Sequence, residues 1–469
     1  MDFLRALLGL AFFVLASWLL SSHRGRFPVR VVFGGLALQL VLGALLLGTS
    51  YGERFFKALA DFFAGLIAMA EPGAKLVFGP LADPVAMGEV FGPAGGFVFA
   101  FAGTGLAAIL FFSALMAVLY HLGVMQLLVW LLAKVMSGVL GVSGAESMAV
   151  AANVFVGQTE APLVVRPYLD RMTLSELNAL MTGGFATIAG SVLAVYMGIL
   201  GPELGPHLLT ASVLSAPAAF LIAKVLLPET EMPETGGKVE LRFNRSASNV
   251  IEAAANGTTD GLRLWLNVIA MLIAFMGLVA LADWMLAGAS GNSLIPVELS
   301  LQKIFGWVFA PIAWIIGVSG WHDCQLFGSL LGTKVAVNEF VAFSGMTSMY
   351  ASADPASLAV SLEAAGITAE HLREASELTA SGGPLPTSGP IYAAAQRLED
   401  PVFHSTRTAQ MAAYALCGFA NFASIGIQIG GLGALAEGRK PELARLALKA
   451  MIGGAFASWM TATVAGMFL

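Results

Sequence analysis

Two carboxylates stand where carboxylates are costly. Glu160, in Val156-Gly157-Gln158-Thr159-Glu160-Ala161-Pro162, and Glu339, in Asn338-Glu339-Phe340, both lie among runs apolar enough to sit in a membrane. An ionised group at that depth marks a functional site by default, with a partner or ligand to be named. Around the two carboxylates the polar side chains are amides and hydroxyls: Asn153, Gln158 and Thr159 near Glu160, Thr187 and Ser191 further on, Asn421 and Ser424 beyond Glu339. So many donors and acceptors suit a polyhydroxylated small molecule. Hydroxyl, amide and backbone carbonyl oxygens suit a hard monovalent cation, whereas no His or Cys cluster suits a transition metal. The plainer alternative pairs Glu160 with Arg166 and Glu339 with Lys334, stitching helices together; two carboxylates at corresponding positions of a repeat weigh against it. Thr187 and Ser191 alone carry little, because such hydroxyls commonly bond back to helical carbonyls. Glu146 reads as a packing carboxylate, and His322-Asp323-Cys324 cannot converge, since neighbours along a helix face apart.

The surroundings that must position these residues are apolar. Of 469 residues, 57% are hydrophobic and 12% charged, against roughly 25% charged in soluble domains. The composition specifies an integral membrane protein. Several runs exceed the roughly 20 residues of a membrane-crossing helix, with Gly and Pro breaks of the kind polytopic bundles tolerate. The short alternating segments of a transmembrane barrel are missing. A net charge of −6 gives no reason to expect nucleic acid, and Cys324 and Cys417 imply neither a disulfide framework nor a metal site. No small-residue cleavage motif follows the apolar run from Met1 to Leu20, so that run reads as a retained first span.

Eight spans are predicted, at about 3–20, 31–47, 96–119, 177–200, 208–227, 264–287, 408–435 and 446–469. The loops holding Arg24, Arg26 and Arg30, and Arg439, Lys440 and Arg445, are the basic ones and so cytoplasmic, which leaves both termini outside. Residues 51–79 interleave charges with Phe55, Phe56, Phe62 and Phe63 and read as an interfacial helix. Residues 125–140, with Lys134, are a second interfacial or re-entrant element, and Gly201-Pro202-Glu203 is a turn between the fourth and fifth spans. Residues 228–260 read as a polar cytoplasmic stretch. Residues 344–406, with seven acids and two bases, read as a solvated extracytoplasmic insertion.

The chain also repeats itself. Gly141-Val142-Ser143-Gly144 recurs as Gly317-Val318-Ser319-Gly320, and Gly184-Phe185-Ala186-Thr187-Ile188-Ala189 is echoed by Gly418-Phe419-Ala420-Asn421-Phe422-Ala423. Each copy is a short, polar-centred segment followed by a span that Gly and polar residues interrupt. Three spans separate the copies, an odd number, so the copies enter from opposite faces. Inverted repeats with re-entrant hairpins and broken helices are how secondary transporters build a site at the midplane. The expected fold is therefore an all-α polytopic membrane protein with eight transmembrane helices, two re-entrant hairpins in inverted repeats, and interfacial helices. It divides into N-terminal spans with an amphipathic helix (1–95), a scaffold span with an interfacial helix (96–140), the first hairpin repeat (141–227), a linker with a second scaffold span and interfacial helix (228–316), and the second hairpin repeat (317–469).

Gly157-Gln158-Thr159-Glu160-Ala161-Pro162-Leu163, Arg166-Pro167-Tyr168-Leu169, the stretch from Met181 to Val192, Asn338-Glu339-Phe340-Val341-Ala342 and the stretch from Leu416 to Ile425 closely resemble motifs of the concentrative nucleoside transporter family. The likeness runs from about Gly96 to the C-terminus. It implies a homotrimer in the bilayer of a cell membrane, inner or plasma, with the third and sixth spans as scaffold and a transport domain moving like an elevator. By position it implies that Gln158, Thr159 and Glu160 face the nucleobase, with Val192 and Phe419 nearby, and that Glu339, Asn421 and Ser424 hold the ribose hydroxyls. It places sodium between the side chains of Asn153 and Thr187 and the backbone carbonyls of Val156 and Ile188. It also implies that the 344–406 insertion departs from a shorter bacterial form. The expected activity is sodium-driven import of nucleosides such as uridine, not catalysis. Proton coupling, with Glu160 or Glu339 titrating, is the alternative; sodium is favoured because the cation-site residues match sodium-coupled members. A membrane-embedded hydrolase needs a nucleophile and base, or a metal set, on facing helices, and the sequence offers none. A passive channel leaves the paired carboxylates unexplained.

Overall fold

The computed structural model describes residues 2–83, 86–87, 104–236, 247–290, 299–351 and 405–469, with a few isolated positions between 368 and 403. Among them every regular element is a helix. The chain opens with α1 (Asp2–Leu19) and α2 (Val29–Leu46), then α3 (Ser50–Ala68) and α4 (Glu71–Phe78) along the stretch expected to be interfacial. Next come α5 (Thr104–His121) and α6 (Val124–Leu140), bent by 76° at Leu122-Gly123. The first residues of the predicted third span, 96–103, lie outside the described residues.

The first repeat comprises α7 (Gly144–Asn153), the short α8 (Ala161–Val164), α9 (Leu174–Ala186) and α10 (Gly190–Leu226). After α11 (Val250–Ala289) and α12 (Leu301–Ile316), the second repeat supplies α13 (Trp321–Ala336), α14 (Glu339–Ala351), α15 (Thr406–Leu416) and α16 (Phe422–Leu435), and the chain closes with α17 (Lys440–Gly466). The sequence repeat is a structural one. Gly141 and Gly317 both end a helix with left-handed backbone, at φ 71° and 120°, a conformation that favours glycine at a helix C-terminus. In each copy a hairpin helix follows, and later a helix broken at its middle, at 187–189 and at 417–421.

Local chemistry explains the starts. Ser143 with Glu146 caps α7 and Thr173 with Glu176 caps α9, each pair satisfying exposed N–H groups reciprocally. Glu146 also meets the Lys224 ammonium at 2.7 Å, both groups almost inaccessible, which ties the start of α7 to the end of α10. That is the packing role its position suggests. The helix α10 is continuous in hydrogen bonding yet not straight. A Cβ on Gly205 would lie 3.5 Å from the Met197 Cα, whereas eight residues of straight helix span about 12 Å. The chain therefore doubles back between Met197 and Gly205.

Two boundaries differ from expectation. The helix α11 begins at Val250, inside the stretch read as polar linker, because the Asn249 side chain accepts the Glu252 N–H at 2.9 Å and caps it. The helix α14 runs to Ala351 with Met346, Met349 and Tyr350 buried, so residues 344–351 belong to the second hairpin and not to a solvated insertion. Ser344, Gly345 and Thr347 disguise it; the Thr347 hydroxyl simply donates back to the Phe343 carbonyl at 3.0 Å.

The core is built round α17, which packs on α9, α10, α15 and α16. Its run of Gly453, Gly454, Ala457, Ser458 and Ala462 is buried, and small residues let helices approach closely where lipid gives little hydrophobic drive. By contrast α11 packs on α5 and leaves Leu266, Ile273, Leu278, Leu281 and Trp284 exposed. Val29–Leu46, Leu204–Leu226 and Val250–Ala289 are long and apolar enough to cross a membrane without interruption. Where described, the remaining predicted spans are helical but shorter, broken or less apolar.

Candidate functional site

The two broken helices cross at their breaks. Gly418 has φ +128°, and a Cβ there would lie 2.8 Å from the Phe185 carbonyl oxygen, so only glycine permits the contact. The hairpins close on this crossing. The Gly190 N–H, at the first break, donates to the Phe155 carbonyl of the first hairpin at 3.0 Å, and Glu339, just past the tip of the second hairpin, reaches the second break.

Glu339 is the centre of one cluster. The Tyr196 hydroxyl donates to its Oε1 at 2.7 Å and the Asn421 amide to its Oε2 at 2.9 Å, all three residues buried. The Asn421 Oδ1 in turn accepts the Ser424 N–H at 2.8 Å, capping α16 and fixing the amide. Lys334, the proposed structural partner, instead donates to the Ala415 carbonyl at 2.9 Å. Asn338 is spent on its own helix, accepting the Val341 N–H at 2.9 Å.

A second cluster gathers oxygens. The Thr187 hydroxyl donates to the carbonyls of Asn153 and Gly183, at 2.9 and 3.0 Å. The Asn153 amide nitrogen donates to the Ala149 carbonyl at 3.2 Å, and its Oδ1 is buried with no donor. Among the described residues none donates to the carbonyl oxygens of Val156 or Ile188, which lie outside the helices. A buried, unmet amide oxygen beside a hydroxyl and two free carbonyls is a donor set that fits a hard monovalent cation.

The third cluster lies at the first hairpin tip. Gln158 accepts from Gln428 of α16 at 2.9 Å, and Thr159 packs on α16, its Cγ2 3.0 Å from where a Gly431 Cβ would be. Glu160 stands apart. It is exposed, with its carboxylate folded back over Gly157 and within electrostatic reach of Tyr120 on α5 and Asp260 on α11. Neither Arg166 nor any other described cation pairs with it. Val192 is buried in the hydrophobic core and Phe419, half-buried, packs against it.

Tyr196 and Gln428 are absent from the sequence reading, although helical spacing could have found them. Tyr196 lies one turn after Val192, and Asn421, Ser424 and Gln428 follow at intervals of three and four, on one helix face. The result is a buried cradle of donors and acceptors. Among the described residues no three His, Cys, Asp or Glu side chains gather to hold a metal. Asp323 is engaged by Thr408 at 2.8 Å, while the Cys324 thiol turns to the Val318 carbonyl.

Known proteins resemble this chain in sequence and in fold. Profiles described as Na+ dependent nucleoside transporter N-terminus, nucleoside recognition, and Na+ dependent nucleoside transporter C-terminus match residues 8–81, 106–203, and 207–378 with 391–466. The last runs through 344–378 and resumes at 391, so it covers most of the segment read as an insertion. The chain is 36% identical over 464 residues to the nucleoside permease NupC of Helicobacter pylori, covering 99% of this chain and 97% of that one. It is 35% identical over 460 residues to the sodium/nucleoside cotransporter 2 of Rattus norvegicus, covering 98% of this chain and 62% of that longer protein. The solved structure of CNTnw in an inward-facing, substrate-bound state superposes with a TM-score of 0.82 at 38% identity, covering 100% of this chain and 98% of that one.

Proposed function

The chain belongs to the family of Na+-dependent nucleoside transporters, and from that membership we propose that it imports nucleosides such as uridine along a sodium gradient. The observation that carries the reading is the buried Glu339 carboxylate, met by Tyr196 on one oxygen and by Asn421 on the other. A carboxylate has about four lone-pair sites, so one fixed by two donors still accepts two more. The ribose hydroxyls would fill them, with Ser424 one turn along the same face as Asn421. Gln158 and Thr159 would face the base between Val192 and Phe419, and Glu160 would close the side towards α5.

Sodium would travel with the nucleoside as co-substrate, on Asn153 Oδ1, Thr187 Oγ1 and the carbonyls of Val156 and Ile188. Those groups join the first hairpin to the first broken helix, so the cation would order the tip that carries Gln158. Nucleoside would then bind well only to the loaded carrier, a coupling that by linkage acts equally in both directions. The hairpins and broken helices would move as one body against α5 and α11, like an elevator. The exposed apolar side of α11 would be covered by neighbouring copies in a homotrimer, in a cell membrane with both termini extracytoplasmic.

Radiolabelled uridine uptake into proteoliposomes tests the reading. Uptake is expected to require an inward sodium gradient; uptake that follows a proton gradient and ignores sodium would sink the cation assignment. Light scattering of the detergent-purified protein with its detergent subtracted should give three copies.

A further inference from the structure

Gln428 fixes the chemistry of Gln158. The two ends of a side-chain amide have nearly the same shape, so neighbours of unambiguous character decide its direction. Met181 is such a neighbour: its backbone carbonyl can only accept, so the Gln428 nitrogen must face it, at 3.0 Å. The same nitrogen lies 2.9 Å from the Gln158 side chain, which must therefore present its oxygen there. Both protons on the Gln428 nitrogen are then used. The Gln158 NH2 is turned away from this contact, and among the described residues no acceptor takes it. The relay is tightly confined, since a Cβ on Gly184 would come within 2.6 Å of the Gln428 nitrogen and 3.0 Å of the Gln158 Cβ. Gln428 is 1% exposed and its Oε1 has no donor; a buried acceptor left unmet points to a donor that arrives with a ligand or a bridging water.

We propose that Gln428 is a specificity-determining positioning residue: anchored on the Met181 carbonyl, it locks Gln158 as a hydrogen-bond donor, so that the site selects nucleobases presenting a carbonyl oxygen on the facing edge, as uracil and hypoxanthine do, over those presenting an amino group, as cytosine and adenine do. The inference rests on the placement of Gln158 against the base proposed above. Two donors brought face to face leave both unpaired, and an unmet buried donor costs about tenfold in affinity. Freed of Gln428, the Gln158 amide can turn its oxygen to an amino group and the discrimination disappears.

The test is competition against radiolabelled uridine uptake in proteoliposomes by unlabelled uridine, cytidine, inosine and adenosine. The wild-type protein should favour uridine over cytidine, and inosine over adenosine, by about tenfold. Gln428→Met removes the amide at nearly constant length, and Gly184→Ala pushes the amide off the Met181 carbonyl. Each should bring both ratios to within about threefold of unity, with uridine weakened and cytidine not. Parallel weakening of all four nucleosides with ratios unchanged would give Gln428 a merely structural role and overturn the proposal, as would a wild-type protein without the preference. A wild-type protein that takes up no nucleoside at all overturns the transport reading itself, and this inference with it.

Discussion

Glu339→Gln keeps the side-chain volume, removes the charge, and separates a ribose cradle from a packing carboxylate. In the wild-type protein Tyr196 and Asn421 donate to the two oxygens at 2.7 and 2.9 Å. The amide can keep its oxygen towards Asn421 and its NH2 towards Tyr196, whose hydroxyl can turn and accept, so the fold survives. Hydrogen bonds to a charged group contribute about 1.5–3 kcal/mol and neutral ones about 0.5–1.5, so each ribose hydroxyl loses about 1 kcal/mol on the exchange. Two hydroxyls lose about 2 kcal/mol, or roughly 30-fold in affinity. Calorimetric titration of the purified variant with uridine reads the loss directly, with thermal unfolding as control. Titration with 2′,3′-dideoxyuridine completes a cycle in which the variant should discriminate far less between the two ligands than wild type does. Uridine binding at wild-type strength, or equal weakening of both ligands, would refute the ribose assignment.

Four further outcomes are expected. Tyr196→Phe deprives Glu339 Oε1 of its donor and should weaken uridine about tenfold, through one charge-assisted hydrogen bond, as measured by the half-saturating concentration in uptake. Thr187→Val retains shape but loses the hydroxyl between Asn153 and Gly183; the sodium concentration for half-maximal uptake should rise, and an unchanged sodium dependence would remove Thr187 from the cation site. Lys224→Met strands the buried Glu146 carboxylate, now paired at 2.7 Å, at a cost of about 3–5 kcal/mol; adding Glu146→Gln should recover much of the lost thermal stability. Gly418→Ala forces a side chain into φ +128° against the Phe185 carbonyl, costing about 1–3 kcal/mol in backbone strain before any clash, visible as a fall in melting temperature.

What the sequence determined by itself was local. Low charge and long apolar runs specify a membrane protein, because the cost of charge in hydrocarbon applies residue by residue. The interrupted spans and the recurrence of Gly141 as Gly317 are legible because Gly and polar residues stand out in an apolar run, whereas the left-handed caps those two glycines make belong to the structure. Tertiary structure alone decided what those features meet. Nothing near Tyr196 in the chain announces Glu339, and nothing near Gln158 announces Gln428, 270 residues away; only the packing of one repeat on the other makes them partners. The same packing separates look-alikes: Asn421 reaches Glu339 while Asn338 caps its own helix, and Glu339 is enclosed while Glu160 stays exposed. A polar residue on an apolar helix reads alike as ligand, cap or strut, and the choice depends on which donor or acceptor the fold brings within about 3 Å.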